Sequence, residues 1–491
     1  MSKQSFNESL LLLLIKWIRS YSMQPSKPRA LFLLAGAYLL ASAANAQESA
    51  ASPAGIVEKA IATNPDVQAS WRIFNASAYD IDFAKGGYKP TVDVTAGYGK
   101  EWRNYTNPED FTGSAAEISL VQMLYDGFKT SNDVTRFENA QLVRYFELLE
   151  TIDGTALETL RAYQDVMRYR DLVRQAEDNL TSHVDVFEQI ETSARAGVAR
   201  RADLEQISGR VSLAESNLLT ETTNLHDVTA RYLRIVGELP PENMPELELN
   251  NSQLPLTLRD AMQLAYQHSP SFHAALRNIS AQEAAVESQQ AAFHPELNLN
   301  ARYGTQDYVD GTIDERRTEG RVGLDVRYNL YRGGRDQANV DKAYEEVDRA
   351  KDQRNKACVD MRQTLQIAYN DVQKLDQQLP ILNQHRLSSD RVRAAYQGQF
   401  NISERTLLDV LDAQNEYFQA SRAYTNALYD RGTAIARTLA AMGQLLPALS
   451  VVNDKLPSLS DLGAEPVTVD ADSACPAEEI RSAISQVRIL R

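Results

Sequence analysis

Several things are scarce in this chain of 491 residues. Two cysteines are too few for a disulfide framework or a four-thiolate zinc site. Basic side chains number 51 against 66 acidic ones, a formal charge of −15 that argues against nucleic acid as a partner. The mean hydropathy of −0.40 excludes a polytopic helical membrane protein. It does not exclude a β-barrel, whose strands are apolar on one face only. The six histidines are scattered, with no His-Glu-x-x-His and no cysteine–histidine cluster, so neither a metal nor another cofactor is expected. Gly333-Gly334 lacks the lysine and third glycine of a phosphate loop, and reads better as backbone freedom at a junction. No nucleophile, base and acid fall together, and no enzyme is expected. The length allows two or three ordinary domains, or one large architecture.

The apolar run that does occur lies at the N-terminus. Lys27 and Arg29 precede Ala30 to Ala41, and Ala44-Asn45-Ala46 follows. A basic stretch, a short apolar core and a small-x-small site read as a secretory signal over residues 1–46, with Met23 as an alternative start. Its removal takes five basic residues and one acid, which moves the charge from −15 to −19. An N-terminal anchor is the alternative, but the core is short for a membrane span.

What the rest of the chain has is a repeat. Asn64-Pro65 recurs as Ser269-Pro270, Lys89-Pro90 as His294-Pro295 and Tyr98-Gly99 as Tyr303-Gly304, all at an offset of 205. Leu124-Tyr125-Asp126-Gly127 recurs as Leu330-Tyr331-Arg332-Gly333, Tyr163 as Tyr369, Asp203-Leu204 as Asp409-Val410 and Gly237 as Gly443, at 206. This predicts two copies of one unit, 47–237 and 256–446, joined by a Pro-rich linker 238–255 and followed by an irregular tail 447–491. Each unit reads helix, strand, strand, very long helix, turn, helix.

The strands alternate strictly. Leu297, Leu299, Ala301 and Tyr303 interleave with Glu296, Asn298, Asn300 and Arg302; Val322 to Leu330 repeats the pattern, as does Val92 to Tyr98. Glu117 to Tyr125 is less regular. Each segment has roughly the 9–11 residues a tilted membrane strand needs. Tyr88, Trp102, Tyr125, Phe128 and Tyr331 are placed for interfacial girdles. A pair of soluble hairpins with one wet face is the alternative.

Glycine and proline nearly vanish after each hairpin. Gly154 alone interrupts 128–196, and Pro380, expected to kink its helix, alone interrupts 335–397. Heptad spacing runs through Leu142, Phe146, Leu149, Ala156, Leu160, Tyr163 and Met167. It runs again through Cys358, Met361, Leu365, Ala368, Val372, Leu375, Leu379 and Leu382. Such helices reach roughly 100 Å. Cys358, on that seam, is expected to be a packed thiol; the alternative, a bridge to Cys475 formed in an oxidising compartment, has no geometric support in the sequence. Four strands cannot close a membrane barrel, so closure needs an oligomer. Two chains would give a filled barrel of about eight strands; three give about twelve and leave a lumen.

On these residues, and on the turn Phe400-Asn401-Ile402-Ser403-Glu404-Arg405-Thr406-Leu407-Leu408-Asp409-Val410-Leu411-Asp412-Ala413, the chain resembles the TolC-type outer-membrane channel family up to about Pro447. The resemblance implies a homotrimer with a twelve-stranded outer-membrane barrel and a periplasmic coiled-coil tunnel. It also implies a periplasmic adaptor and an inner-membrane ABC transporter as partners. The acidic chain and its tail look closest to type I secretion members that export proteins such as adhesins; small-molecule efflux is the alternative.

By the same resemblance Asp409 and Asp412 match the carboxylate rings that constrict the entrance. Crowding in such rings would raise their pKa values. Asp203 and Arg405 match a link that holds the gate closed. Phe400 stands where the family has tyrosine, Ser403 where it has glycine, and Ala202 replaces a polar residue. Gly197, Val198, Ser403 and Glu404 form the turns an adaptor would meet. A secreted coiled-coil adhesive protein would explain the heptads but not the amphipathic hairpins, and nothing supports a periplasmic hydrolase.

Overall fold

The computed structural model describes residues 52–465, apart from 104–108, 248, 250, 311–312 and 452–455. The expected signal, Met23 and Cys475 lie outside the described residues.

The same element order occurs twice. The first unit runs α1 (Pro53–Thr63), α2 (Pro65–Gly86), β1 (Thr91–Arg103), β2 (Glu109–Tyr125), α3 (Lys129–Arg195) and α4 (Arg201–Val236). The second runs α5 (Leu258–His268), α6 (Pro270–Gln290), β3 (Glu296–Asp310), β4 (Ile313–Arg327), α7 (Arg335–Asn401) and α8 (Leu407–Ala441). A short helix α9 (Leu445–Ala448) follows.

Where one helix was expected before each hairpin, two are found. Pro65 and Pro270 cannot donate a backbone hydrogen bond, but both suit the first position of a new helix. Asn64 caps the new start by accepting from the Asp66 N–H at 2.8 Å.

The four strands form one antiparallel sheet in the order β1-β2-β3-β4. They are 13, 17, 15 and 15 residues long, longer than the apolar alternation alone marked out. Polar outer ends extend them, because ladder hydrogen bonds do not need an apolar side chain. Conversely β4 stops at Arg327, short of Tyr328 and Leu330.

Register places Val92, Leu120, Ala301 and Val322 in one line across the sheet. The next line, displaced by one residue, is Asp93, Ser119, Arg302 and Arg321. One face is therefore apolar and the other charged. Val94, Tyr98, Val322, Leu324 and Val326 are exposed in the single chain. Neither β1 nor β4 has a second partner strand among the described residues.

Helices α3 and α7 are 67 residues each. The first seam is buried at Leu142, Phe146, Ala156, Leu160 and Tyr163, the second from Cys358 to Leu375. α7 is helical throughout, with Pro380 inside it. Cys358 is 5% exposed, as a packed residue should be, but it is disulfide-bonded. That corrects the free-thiol expectation: an exported chain meets an oxidising compartment.

Equivalent tyrosines secure the linker between the units. Tyr163 donates its hydroxyl to the Pro245 carbonyl, and Tyr369 donates to the Pro255 carbonyl at 3.0 Å. The largest core cluster brings α1, α2, α3 and α5–α8 together around Leu148, Ile152, Leu160, Leu365 and Ile435. Leu456, Leu459 and Leu462 of the tail pack on its margin.

Candidate functional site

The helical hairpins end in two turns of the same design. Each stops with a residue at positive φ, Gly197 at 76° and Ser403 at 66°. The Val198 N–H then reaches back to the Ser193 carbonyl and the Glu404 N–H to the Gln399 carbonyl, both at 2.9 Å. These are Schellman closures, which satisfy the last carbonyls of α3 and α7. Val198 is 81% exposed at the tip, and Glu404 is also exposed.

Behind the turns sits an apolar node of Val186, Ile190, Ile207, Leu407, Val410 and Leu411, with Phe400 and Tyr396 packed on it. Phe400 thus acts through packing, consistent with the hydroxyl it lacks. Arg405 lies over the Tyr396 ring at 4.3 Å, donates to Gln399 at 2.9 Å and reaches Asp409 at 4.0 Å.

Asp409 and Asp203 are each set by a helix start. α8 begins with a reciprocal capping box. Asp409 accepts from the Thr406 hydroxyl at 2.9 Å and N–H at 3.2 Å, while the Thr406 hydroxyl accepts the Asp409 N–H at 3.3 Å. These bonds from Thr406 hold the Asp409 carboxyl below the usual carboxylate range. Within one protomer the direction is therefore opposite to that expected from crowding. Asp203 stands at the same place in α4 and accepts the Arg200 N–H at 3.3 Å.

Asp203 and Arg405 are not paired with each other inside the protomer. Asp412 instead meets Arg210 of α4 at 3.2 Å. Higher up, Glu221 of α4 is only 2% exposed and is paired with Arg422 of α8. Arg422 also faces the Phe418 ring at 5.4 Å. Sequence reasoning passed over Arg210, Glu221 and Arg422. Nothing in a helix pattern says which of many charged positions meet across two helices more than 200 residues apart.

At the other end Tyr125 and Phe128 make an edge-to-face contact at 5.6 Å where β2 gives way to α3. Trp102, exposed, lies toward the far end of β1 with Lys100 Nζ 5.8 Å from its ring. One chain therefore carries an amphipathic sheet at one end and charged helix starts at the other.

Comparison with known proteins decides the family. The family model described as outer membrane efflux protein matches residues 56–238 and 261–444. The chain belongs to that family. It is an outer-membrane channel of the TolC type. The outer membrane efflux protein BepC of Brucella suis biovar 1 is 24% identical over 416 residues, covering 84% of this chain and 90% of that protein. The outer membrane protein TolC of Escherichia coli K12 is 21% identical over 446 residues, 88% of each. Among solved structures, the Campylobacter jejuni CmeC outer membrane channel superposes with a TM-score of 0.71 at 14% identity, over 86% of this chain and 94% of that one. CusC superposes at 0.70 with 16% identity, over 79% and 91%. These channels share the fold: long helices carrying a small sheet.

Proposed function

We propose that three copies of this chain close one twelve-stranded barrel and one helical tunnel, forming the outer-membrane exit duct of a tripartite system. The observation that carries the reading is the open sheet. Among the described residues its β1 and β4 edges have no further partner strand, and one face is apolar and the other charged. Exposed edges are a liability in a soluble protein and vanish in a closed barrel. In lipid every backbone donor must be satisfied, which only closure achieves.

In the proposed trimer Asp409 and Asp412 from three chains form the periplasmic constriction, which favours cations. Asp203 and Arg405, apart within one protomer, meet only between protomers. The turns at Gly197, Val198, Ser403 and Glu404 receive a periplasmic adaptor, and an inner-membrane ABC transporter supplies the energy. The cargo class we favour is protein, as in type I secretion. The second reading is small-molecule efflux. It is favoured by two Pseudomonas putida relatives, a solvent efflux pump and a toluene efflux pump outer membrane protein, each 23% identical over 284 residues.

Sedimentation in detergent and heat-modifiable gel migration test the assembly: a trimer is expected, and a soluble monomer overturns the duct. Deletion of the chain's gene then separates the cargoes. A protein missing from the medium supports secretion; unaltered medium with new sensitivity to solvents or drugs supports efflux.

A further inference from the structure

On the charged face of the sheet two arginines stand side by side. Arg302 of β3 and Arg321 of β4 are directly opposite in the register, and both are exposed. Like charges directly opposite on paired strands destabilise the pairing. The duplicated backbone does not require them. Offsets of 205 and 206 carry Arg302 to Gly97 and Arg321 to Ala115, which are themselves opposite in the β1–β2 register. One hairpin carries a charge repulsion where the other has only small residues.

The surroundings leave the pair unneutralised. Arg316 donates to the Thr305 hydroxyl at 3.1 Å and Arg317 pairs with Glu315 at 2.7 Å, whereas Arg302 and Arg321 make no ion pair among the described residues. Asp325 is occupied by Asn300, which donates to it at 2.5 Å. Asp93 shares the arginine line but lies two strands from Arg302, about 10 Å away. Glu117 and Glu319 stand on the next line of this face. Arg302 borders two hollows of about 470 and 300 Å³, lined in part by Gly97, Ala115, Ser119 and Gly323. The adjacent line on the opposite face is the apolar one of Val92, Leu120, Ala301 and Val322. In a barrel both guanidiniums therefore lie at the depth of the lipid and face the lumen. Charge at that depth is retained where it faces water and marks a pathway.

We propose that Arg302 and Arg321 form a binding station in the barrel lumen for acidic stretches of polypeptide in transit. This rests on the reading of the chain as a duct for protein cargo, and names the chemistry that cargo presents. Two adjacent guanidiniums offer paired donors that match carboxylates. Both are exposed, so each contact is weak and screened by salt, and a lone carboxylate is not retained. A run of carboxylates engages both guanidiniums of a copy, and those of all three copies in a trimer, and gains by multivalency. Weak contacts at several sites hold a moving chain without arresting it.

Fluorescence anisotropy of a labelled poly-L-glutamate peptide with the detergent-solubilised full chain tests it. The unsubstituted protein should bind the peptide, and the affinity should fall as salt rises. Arg302→Gln with Arg321→Gln relieves a like-charge repulsion, so the fold is kept, and should weaken binding by about tenfold or more. Arg302→Lys with Arg321→Lys keeps the charge and should retain most of the binding. Arg195→Gln with Arg349→Gln, exposed on the long helices, should leave the affinity unchanged. The inference is overturned if the glutamine pair binds as tightly as the unsubstituted protein, or if the helix pair weakens binding equally. It is also overturned if free glutamate at the same carboxylate concentration displaces the peptide. Sedimentation of the same samples keeps the two readings apart. A trimer that ignores the peptide overturns the station and leaves the duct standing, whereas a protein that stays monomeric counts against the duct itself.

Discussion

The two units of the chain share a backbone and differ in how they hold it. Four positions adopt positive φ in each, in register: Gly127 and Gly333, Phe128 and Gly334, Gly197 and Ser403, Gly237 and Gly443. A phenylalanine serves in one unit where glycine serves in the other, and a serine likewise at the tip. The architecture, not the residue, imposes the conformation; glycine merely lowers its cost. Where glycine is kept in both copies, the surroundings still differ. A Cβ on Gly443 would lie 2.6 Å from the His268 carbonyl oxygen, while on Gly237 it would meet only the Thr63 hydroxyl at 4.0 Å. One unit needs the missing side chain and the other needs the freedom.

The largest expected effect comes from the charge tie between α4 and α8, whose offset positions in the other unit, Ala427 and Ser216, carry no charge. Arg422→Ala leaves Glu221 buried without its partner and should cost about 3–5 kcal/mol. Ser216→Ala, at the position that corresponds to Arg422 in the first unit, should cost less than about 0.5 kcal/mol. Thermal unfolding of the detergent-solubilised protein measures both. Comparable losses would deny the asymmetry. Next comes the glycine pair. Gly443→Ala adds overpacking to backbone strain, about 3 kcal/mol together, against about 1 kcal/mol for Gly237→Ala. Equal losses would show that the close approach to His268 relaxes freely.

The tip turns should respond in opposite senses. Ser403→Gly relieves a non-glycine residue at positive φ and should stabilise by about 1 kcal/mol, while Gly197→Ser should lose as much. Both turns keep the same Schellman bonds, so no contact term obscures the comparison. A null result in both directions would mean that the serine side chain compensates locally.

Much of this was legible in the sequence because it is periodic. Alternation marked the strands, heptads marked the seams, and a near-constant offset of 205 to 206 pointed to the element order that occurs twice. Junctions set by a single residue were less so. Pro65 and Pro270 were visible as repeat landmarks, yet their helix-breaking consequence requires knowing that helix lies on both sides. The strand ends were missed where polar residues continue a ladder. Asp409 was singled out from the resemblance, but its capping bond to Thr406 was not, although Thr-Leu-Leu-Asp is the spacing of a capping box with Asp in the acid's place. Pairs such as Arg210–Asp412 carry no local signal. They depend on the rotation of two helices that the chain brings together only after 200 residues of other structure.

The smallest expected effect concerns that capping bond. In the second unit Thr406 gives Asp409 both a hydroxyl and an N–H; in the first, Arg200 stands at the equivalent position and has no hydroxyl to give. Because the folded carboxyl of Asp409 titrates below the ordinary range, its bonds stabilise the fold above that range. That contribution fades as pH falls through the lowered value. The Asp409 side chain is 36% exposed and screened by solvent, so the change in overall stability should be slight. The titration itself is the sensitive observable. Thr406→Val removes the hydroxyl and keeps the shape, so Asp409 should titrate at higher pH, nearer an ordinary carboxylate. Conductance followed from neutral to acidic pH should then lose its cation preference earlier in the variant. Arg200→Val, which has no such bond to remove, should leave that profile where it was. If Thr406→Val also leaves it unmoved, either Asp409 does not face the conducted ions or neighbouring carboxylates of the trimer outweigh Thr406. Asp412→Asn in the same background separates these two, because removing a neighbouring charge would shift the profile only in the second case.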